Sequence, residues 1–384
     1  MKKVMTPRER VAATLNFEEP DRVPICIGSS GASVNDAVYY QLKEHFQIEG
    51  DVEPFRSGHG DNIYDPRVFD KLGGDFRHVF LKSNQEYKAA TTEDGGRINE
   101  WGVKVIRVGK FNEWMSHPLQ GATLEDLDNY AWPKPYEGNR DRDLKADIDY
   151  WYKETDFAIS TRSPSRGFWD LGIQLRGFDQ FAMDMILNKP FIHKMMEKIL
   201  EVLIAYYDVL LSTVGPYVQI VETQDDLAHQ NAPFMSPDAY KEFMMPYRKK
   251  LNAFIKSKAP QAKIYQHCCG SVRKLIPYMI EAGIEVLNPI QPLAKEMDTG
   301  KLKRDFGKDI VFFGGIDLQE RLAGPPEVVE QEVKERIRDL APGGGYIMSP
   351  ANVVQPDVPI ENLILLCELA REYGQYPLDL EKLK

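Results

Sequence analysis

At 384 residues, with 43% hydrophobic and 28% charged residues, the chain is long for one small domain and too apolar to be disordered. Its 48 basic and 58 acidic residues give a net charge of −10, which argues against a nonspecific nucleic-acid or anionic-membrane surface. No apolar run approaches the ~20 residues of a membrane span, the opening residues hold no apolar leader, and four cysteines, two of them adjacent, make no disulfide framework, so a reducing cytoplasm is the expected setting.

The first ~150 residues hold short, irregular apolar pieces between polar and Gly/Pro breaks, and read as additions to whatever follows. Thr6 caps a helix to about Leu15, RVPICIG (22–28) reads as a strand, and Ser33 caps a helix to about Phe46. Two strand-like pieces follow, FRHVFL and GVKVIRV, then a capping-box spacing at Thr123 and Asp126. From residue 155 a regular alternation begins. Strand FAIST (157–161) precedes helical residues to about 186 and a second helix from Pro190, whose Ile192, Met196, Leu200 and Ile204 repeat every fourth position and face a core. Strand YVQIVET (217–223) leads to a helix capped by Ser236 and running to about Ser257. Strands AKIYQH (262–267), IEVLN (284–288), DIVFFGG (309–315) and GYIMSP (345–350) each precede a helix, at 271–282, 298–305, within 317–341 and at 359–373. These six strand–helix units, with RVPICIG and one strand from the 75–107 region, give the eight of an α/β (β/α)₈ barrel in one domain over 1–384. An open doubly wound sheet is the rival, but no G-x-G-x-x-G follows the first strand.

A barrel carries its chemistry at the C-terminal ends of its strands. Those ends here are polar: Thr161-Arg162-Ser163; Glu222 running into Asp225-Asp226 and His229; His267-Cys268-Cys269; Asn288 and Gln291; Gly314-Gly315 and Asp317; Asn352 and Gln355. A strand sets residues i and i+2 on one face, so His267 and Cys269 can share an ion such as Zn²⁺ while Cys268 points away. A third ligand has to come from another strand end, with Glu222, Asp226, Gln291 and Asn352 as candidates. Alternatively the two cysteines are simply buried and His267 hydrogen-bonds a substrate. Carboxylates crowded at 222, 225 and 226 repel unless a cation or base joins them, which suits either cation binding or acid–base work, the latter by Asp225, Asp226 and His229. Arg162, Asn288, Gln291, Asp317, Asn352 and Gln355 are the candidates for substrate binding. Glycines 343–345 lead into their strand and read as a bottom turn, whereas Gly314-Gly315 leaves room for a ligand to approach the backbone. His45, His59, His78, His117 and His193 carry no comparable context and read as structural.

The segments TPRERVAATLNFEEPDRVPI, DDLAHQNAPFMSPDAYKEFMMPY, HCCGSVRKLIPYMIEAGIEVLNPIQPLAKEMD, FGKDIVFFGGID and LAPGGGYIMSPANVVQPDVPIENL resemble the uroporphyrinogen decarboxylase superfamily, and within it the corrinoid-dependent methyltransferase branch. The resemblance implies a (β/α)₈ barrel. It also implies zinc held by His-x-Cys and a later Cys, serving methyl transfer between a small methylated compound and a corrinoid on a separate small protein. His267 and Cys269 match the first two ligands; the late Cys falls near Asn352 and is missing, so Glu222 is the first choice to complete the set. The arginine-rich R-Q-A-G-R-Y motif by which the decarboxylases grip substrate carboxylates is replaced by ICIGSSGASVNDAVYY, without arginine. Decarboxylation of a tetrapyrrole or other aromatic acid is therefore the second expectation. A corrinoid-carrying role is the third, and no D-x-H-x-x-G cobalamin-ligand motif is present to support it.

Overall fold

The computed structural model describes residues 4–50, 52, 62, 65–108 and 111–384, with the backbone alone at 111 and 112; His59 lies outside the described residues. Its strands are β1 (Phe76–Val79), β2 (Arg97–Ile98), β3 (Lys104–Val108), β4 (Phe111–Trp114), β5 (Ala158–Thr161), β6 (Ile220–Gln224), β7 (Lys263–His267), β8 (Val286–Asn288), β9 (Val311–Ile316) and β10 (Tyr346–Pro350). Seven of them form one sheet in the order β1-β5-β6-β7-β8-β9-β10, every neighbouring pair parallel. Extended residues 24–26, from RVPICIG, fill the eighth place. Met348 N–H donates to Pro24 O (2.9 Å) and Cys26 N–H to Met348 O (3.0 Å), while Asp75 N–H, just ahead of β1, donates to Ile25 O (2.9 Å). The chain is thus a (β/α)₈ barrel whose first and last strands meet across this segment. Of the two strand-like pieces near residues 75–107, FRHVFL supplies β1. GVKVIRV becomes β3 of a separate antiparallel sheet, β2-β3-β4, among the N-terminal additions.

Parallel strands covered by helices are buried on both faces, which is why β5, β9 and β10 have no exposed residue. The long helix Lys189–Val214 buries Ile192, Met195, Met196, Ile199, Leu200 and Leu203 against the outside of the barrel. Local chemistry shifts some element ends. Asn35, not Ser33, caps the helix Asp36–His45, because Val354 N–H donates to Ser33 O and keeps the chain extended past residue 33. The helix expected after Ser236 is two, Pro237–Phe243 and Met245–Lys258, since Pro246 has no N–H to continue the first. The helix expected at 271–282 is reduced to Ile276–Glu281. Thr123 and Asp126 exchange the reciprocal bonds of a capping box, but only the single turn Asp126–Asn129 follows.

The strand period of two sorts the barrel interior into layers. A lower set of Cys26, Phe76, Ala158, Ile220, Tyr265, Val286, Val311, Phe313 and Ile347 is apolar apart from the tyrosine hydroxyl, and buried. Two residues further along the same strands the inward positions turn polar: His78, Ser160, Glu222, His267 and Asn288. The register pairs Gln224 with His267 and His267 with Asn288, so the strand ends reach one height. At the opposite end, Gly344 lies against the Glu18 backbone, which confirms glycines 343–345 as a bottom turn. Gly314 differs from expectation: a Cβ there would lie 1.8 Å from Pro289 O, so its bareness admits the neighbouring backbone and not a ligand.

Barrel closure depends on a buried ionic knot. The Asp75 carboxylate is fully buried and accepts from Arg10 Nη1 (2.6 Å), both Arg22 Nη atoms (2.9 and 3.0 Å) and Ile25 N–H (2.8 Å). Removing one partner of such a group leaves buried charge uncompensated, so Asp75→Ala should lose about 3–5 kcal/mol in a denaturant titration, and a loss under about 1 kcal/mol would show that closure does not depend on it.

Candidate metal centre

His267 ends β7 and turns its imidazole inward. Its Nδ1 lies 2.6 Å from Asn288 Oδ1, and Asn288 Nδ2 donates to Phe313 O at 3.0 Å. The second bond fixes the amide, so Asn288 presents its oxygen and His267 must donate from Nδ1. The Nε2 lone pair is left to face the barrel mouth, the arrangement a ligating histidine requires. There Nε2 sits 3.3 Å from Cys269 Sγ and 3.8 Å from Asp226 Oδ1. Ligand atoms of Asp226, His267 and Cys269 all lie within 4.8 Å of one another. A tetrahedral zinc with ordinary bonds to sulfur, nitrogen and oxygen separates its ligands by ~3.4–3.6 Å, so the donor set fits that ion with little movement.

Each ligand has a support. Cys269 N–H donates to Asp226 Oδ1 at 2.8 Å, and Gly270 N–H to Gln291 Oε1 at 2.7 Å, which holds the turn after β7. Asn352 Nδ2 donates to Cys269 Sγ at 3.2 Å, its amide oriented by Val353 N–H on Oδ1 (2.7 Å). Asn352 therefore stands where the resemblance looks for a thiolate ligand, and it solvates the remaining sulfur instead. Burial, and then the Asp226 charge, push the Cys269 thiol well up. A dication bound there would let thiolate and carboxylate coexist. Cys268 turns away as expected, its buried sulfur accepting from Leu227 N–H.

Several expected site residues lie elsewhere. Glu222, the first choice for third ligand, is not in the cluster. Its fully buried carboxyl accepts from Ser30 N–H (2.8 Å) and Ser160 Oγ (3.0 Å), with burial pushing it up and Ser30 and Arg162 opposing. His78 lies 3.6 Å from it, but burial, with Arg162 and Arg77 adding, pushes that imidazole down to about 3, so this is no ion pair. Arg162 is buried beside these two groups and not at the cluster. Asp225 points the other way from Asp226. It caps the helix Phe168–Arg176, accepting from the N–H groups of Phe168, Trp169 and Asp170 at 3.0–3.1 Å, and pairs with buried Arg248 at 3.2 Å. His229 is exposed at the rim, its ring against Phe234. Asp317 accepts from the N–H groups of Gln319, Glu320 and Arg321 and so holds a turn, and Gln355 donates to Val353 O. Of the expected residues the structure brings together Asp226, His267, Cys269, Asn288, Gln291 and Asn352.

Two neighbours have no local signal in the sequence. Asp170 lies behind the cluster, accepting from Asp226 N–H at 3.4 Å; burial pushes its carboxyl up to about 8 against Arg166, with the Asp226 and Asp225 charges adding to the rise. Gly31 approaches His267 across more than two hundred residues of sequence. Only the three-dimensional fold brings either to the site.

The uroporphyrinogen decarboxylase (URO-D) family model matches residues 122–373. The chain belongs to that family. Among curated relatives, uroporphyrinogen decarboxylase of Pelodictyon phaeoclathratiforme is 24% identical over 198 residues, which is 50% of this chain and 52% of the relative. That of Synechococcus sp. is 26% identical over 186 residues, 48% of this chain and 49% of the relative. The chain thus spans about half the length of the curated relatives it matches. In fold it resembles a methyltransferase from Methanosarcina mazei, with a TM-score of 0.65 at 19% identity, over 96% of this chain and 99% of that one. The likeness in fold therefore takes in this chain's N-terminal additions as well as its barrel. No helix among the described residues is long and apolar enough to cross a membrane.

Adjacent aspartates should part in experiment. Asp225→Ala strands Arg248 and three N–H groups and should cost about 3–5 kcal/mol of stability, read by denaturant unfolding. Asp226→Ala should leave stability nearly intact and abolish stoichiometric zinc retention after dialysis. Equal stability losses, or undiminished zinc in Asp226→Ala, would contradict these assignments.

Proposed function

We propose that the chain is a methyltransferase moving a methyl group between a small methylated compound and a corrinoid carried by a partner protein. The observation that carries this reading is the cluster of Asp226, His267 and Cys269, with Asn288 fixing the histidine tautomer. Three protein ligands leave one tetrahedral position open, the mark of a catalytic zinc site. Zn²⁺ there would act as a Lewis acid on the heteroatom that bears the methyl group. One carboxylate, one thiolate and a neutral imidazole balance its charge. The chain's own part is to hold these donors at fixed height on β7 and on the loop after β6, and to solvate the sulfur through Asn352.

In the demethylating direction the carbon–heteroatom bond breaks and a carbon–cobalt bond forms. The heteroatom would keep the bonding electron pair and take up a proton from solvent, and the corrinoid, a co-substrate on its own protein, would supply the pair for the new bond as Co(I) and leave as methyl-Co(III). Interactions that grow as charge develops on the leaving atom lower the barrier most.

Decarboxylation is the second reading, favoured by the name of the family model. Against it, residues 28–33, where the decarboxylases' arginine-rich motif would fall, are Gly-Ser-Ser-Gly-Ala-Ser, and they pack over the barrel interior without a cationic side chain.

The assay presents Co(I) corrinoid with methoxylated aromatics and methylamines and follows methyl-Co(III) absorbance. His267→Ala and Cys269→Ala should each lose at least ~10²-fold in the chemical step, the lower bound for a positioned catalytic group, while the fold persists. Undiminished methyl transfer in both variants would refute the site. Carbon dioxide release from uroporphyrinogen by the wild type would replace this reading with the second.

A further inference from the structure

Residues 28–33 turn sharply at the barrel mouth, with Gly28 N–H donating to Ala32 O at 2.6 Å. Three anchors hold the turn. Ser30 N–H donates to buried Glu222 at 2.8 Å, Ser163 N–H donates to Ser30 Oγ at 3.0 Å, and Val354 N–H donates to Ser33 O at 2.9 Å. The last anchor is two residues from Asn352, which touches Cys269. Between the anchors lies Gly31. A Cβ there would fall 2.0 Å from His267 Nδ1, 2.4 Å from Asn288 Oδ1 and 2.6 Å from His267 Cε1. Gly31 is not among the residues of positive φ, so space alone, and not backbone conformation, demands a glycine at this position.

We propose that residues 28–33 form a positioning element for the metal-binding histidine, with Gly31 pressed on the Nδ1 edge of His267 and on its Asn288 partner so that only Nε2 is offered to an ion. With backbone packed against that edge, the loop leaves the imidazole little room to move off Asn288. Glu222, expected as a ligand, serves the same centre from a distance by holding Ser30. Gly31, Ser30 and Glu222 are thus positioning residues and not catalytic ones. This inference rests on reading Asp226, His267 and Cys269 as metal ligands, and its test separates the two.

Two measurements are made on wild type, Gly31→Ala and Ser30→Ala, each checked for folding by thermal unfolding. The first is the ¹⁵N NMR signature of the His267 tautomer in metal-free protein, assigned by its loss in His267→Gln. The second is Co(II) titration, read from the d–d and thiolate charge-transfer bands. The wild type should show a single Nδ1–H tautomer and bind Co(II) with a thiolate band. Gly31→Ala should show mixed tautomers and bind at least ~10-fold more weakly, the lower bound for loss of support around a ligating histidine, with Ser30→Ala between the two. Where Gly31→Ala does not fold, Ser30→Ala decides by the same two readouts. A merely structural loop would change the unfolding temperature and leave tautomer and spectrum alone. That result, or an Nε2–H tautomer in the wild type, would overturn the inference. Absence of Co(II) binding in a wild type whose tautomer is locked and then released by the variants would sink the metal reading and leave the loop's role standing.

Discussion

One stretch of backbone, residues 24–35, performs two jobs that cannot be separated. Its hydrogen bonds to Met348 and Asp75 complete the barrel, and further along, at residues 33 and 35, its bonds to Val354 tie it to the loop after β10. Between those seams it folds over the interior and lays Gly31 on His267. The barrel closes only if this segment is extended and seated, and once it is seated the histidine has one available orientation. The Asp75 knot with Arg10 and Arg22 secures the seam from below, at the cost of burying three charges that must stay mutually satisfied.

Electrostatics divide the carboxylates of the mouth by what faces each. Asp225 and Asp226 are neighbours in sequence, yet one meets a helix N-terminus and Arg248 while the other meets His267 and the Cys269 amide. Backbone N–H groups and a guanidinium stabilise the first without a metal. Among the described residues no lysine or arginine forms an ion pair with the second, whose neighbours are the His267 imidazole, a thiol and a second carboxyl, Asp170. Glu222 is different again: it is buried among His78, Ser160 and Arg162, where it anchors a loop. Carboxylate crowding in the sequence thus resolves into three roles, and only Asp226 is placed to meet an ion.

Much of this was legible in the sequence. The βα alternation gave the strand positions, because parallel strands buried on both faces read as short apolar runs between caps and turns. His267-x-Cys269 could be paired from strand geometry alone, and both side chains do meet at 3.3 Å. Choosing Asp226 over Glu222 was not accessible, because it depends on which strand turns its end inward and on where the N-terminal loop comes to rest. Asn288 reads in the sequence as a polar strand end, but its role as the histidine's partner follows from the register of β7 against β8. Gly31 offered no signal at all, since a glycine required for space looks like any other loop glycine until the facing atom is known.

Zinc K-edge X-ray absorption on zinc-loaded protein addresses the centre most directly. A shell of one sulfur at ~2.3 Å with nitrogen and oxygen at ~2.0–2.2 Å is expected, as Cys269 with His267 and Asp226 require. Two sulfurs in the shell, or none, would contradict the assignment of Asp226, His267 and Cys269 as the zinc ligands.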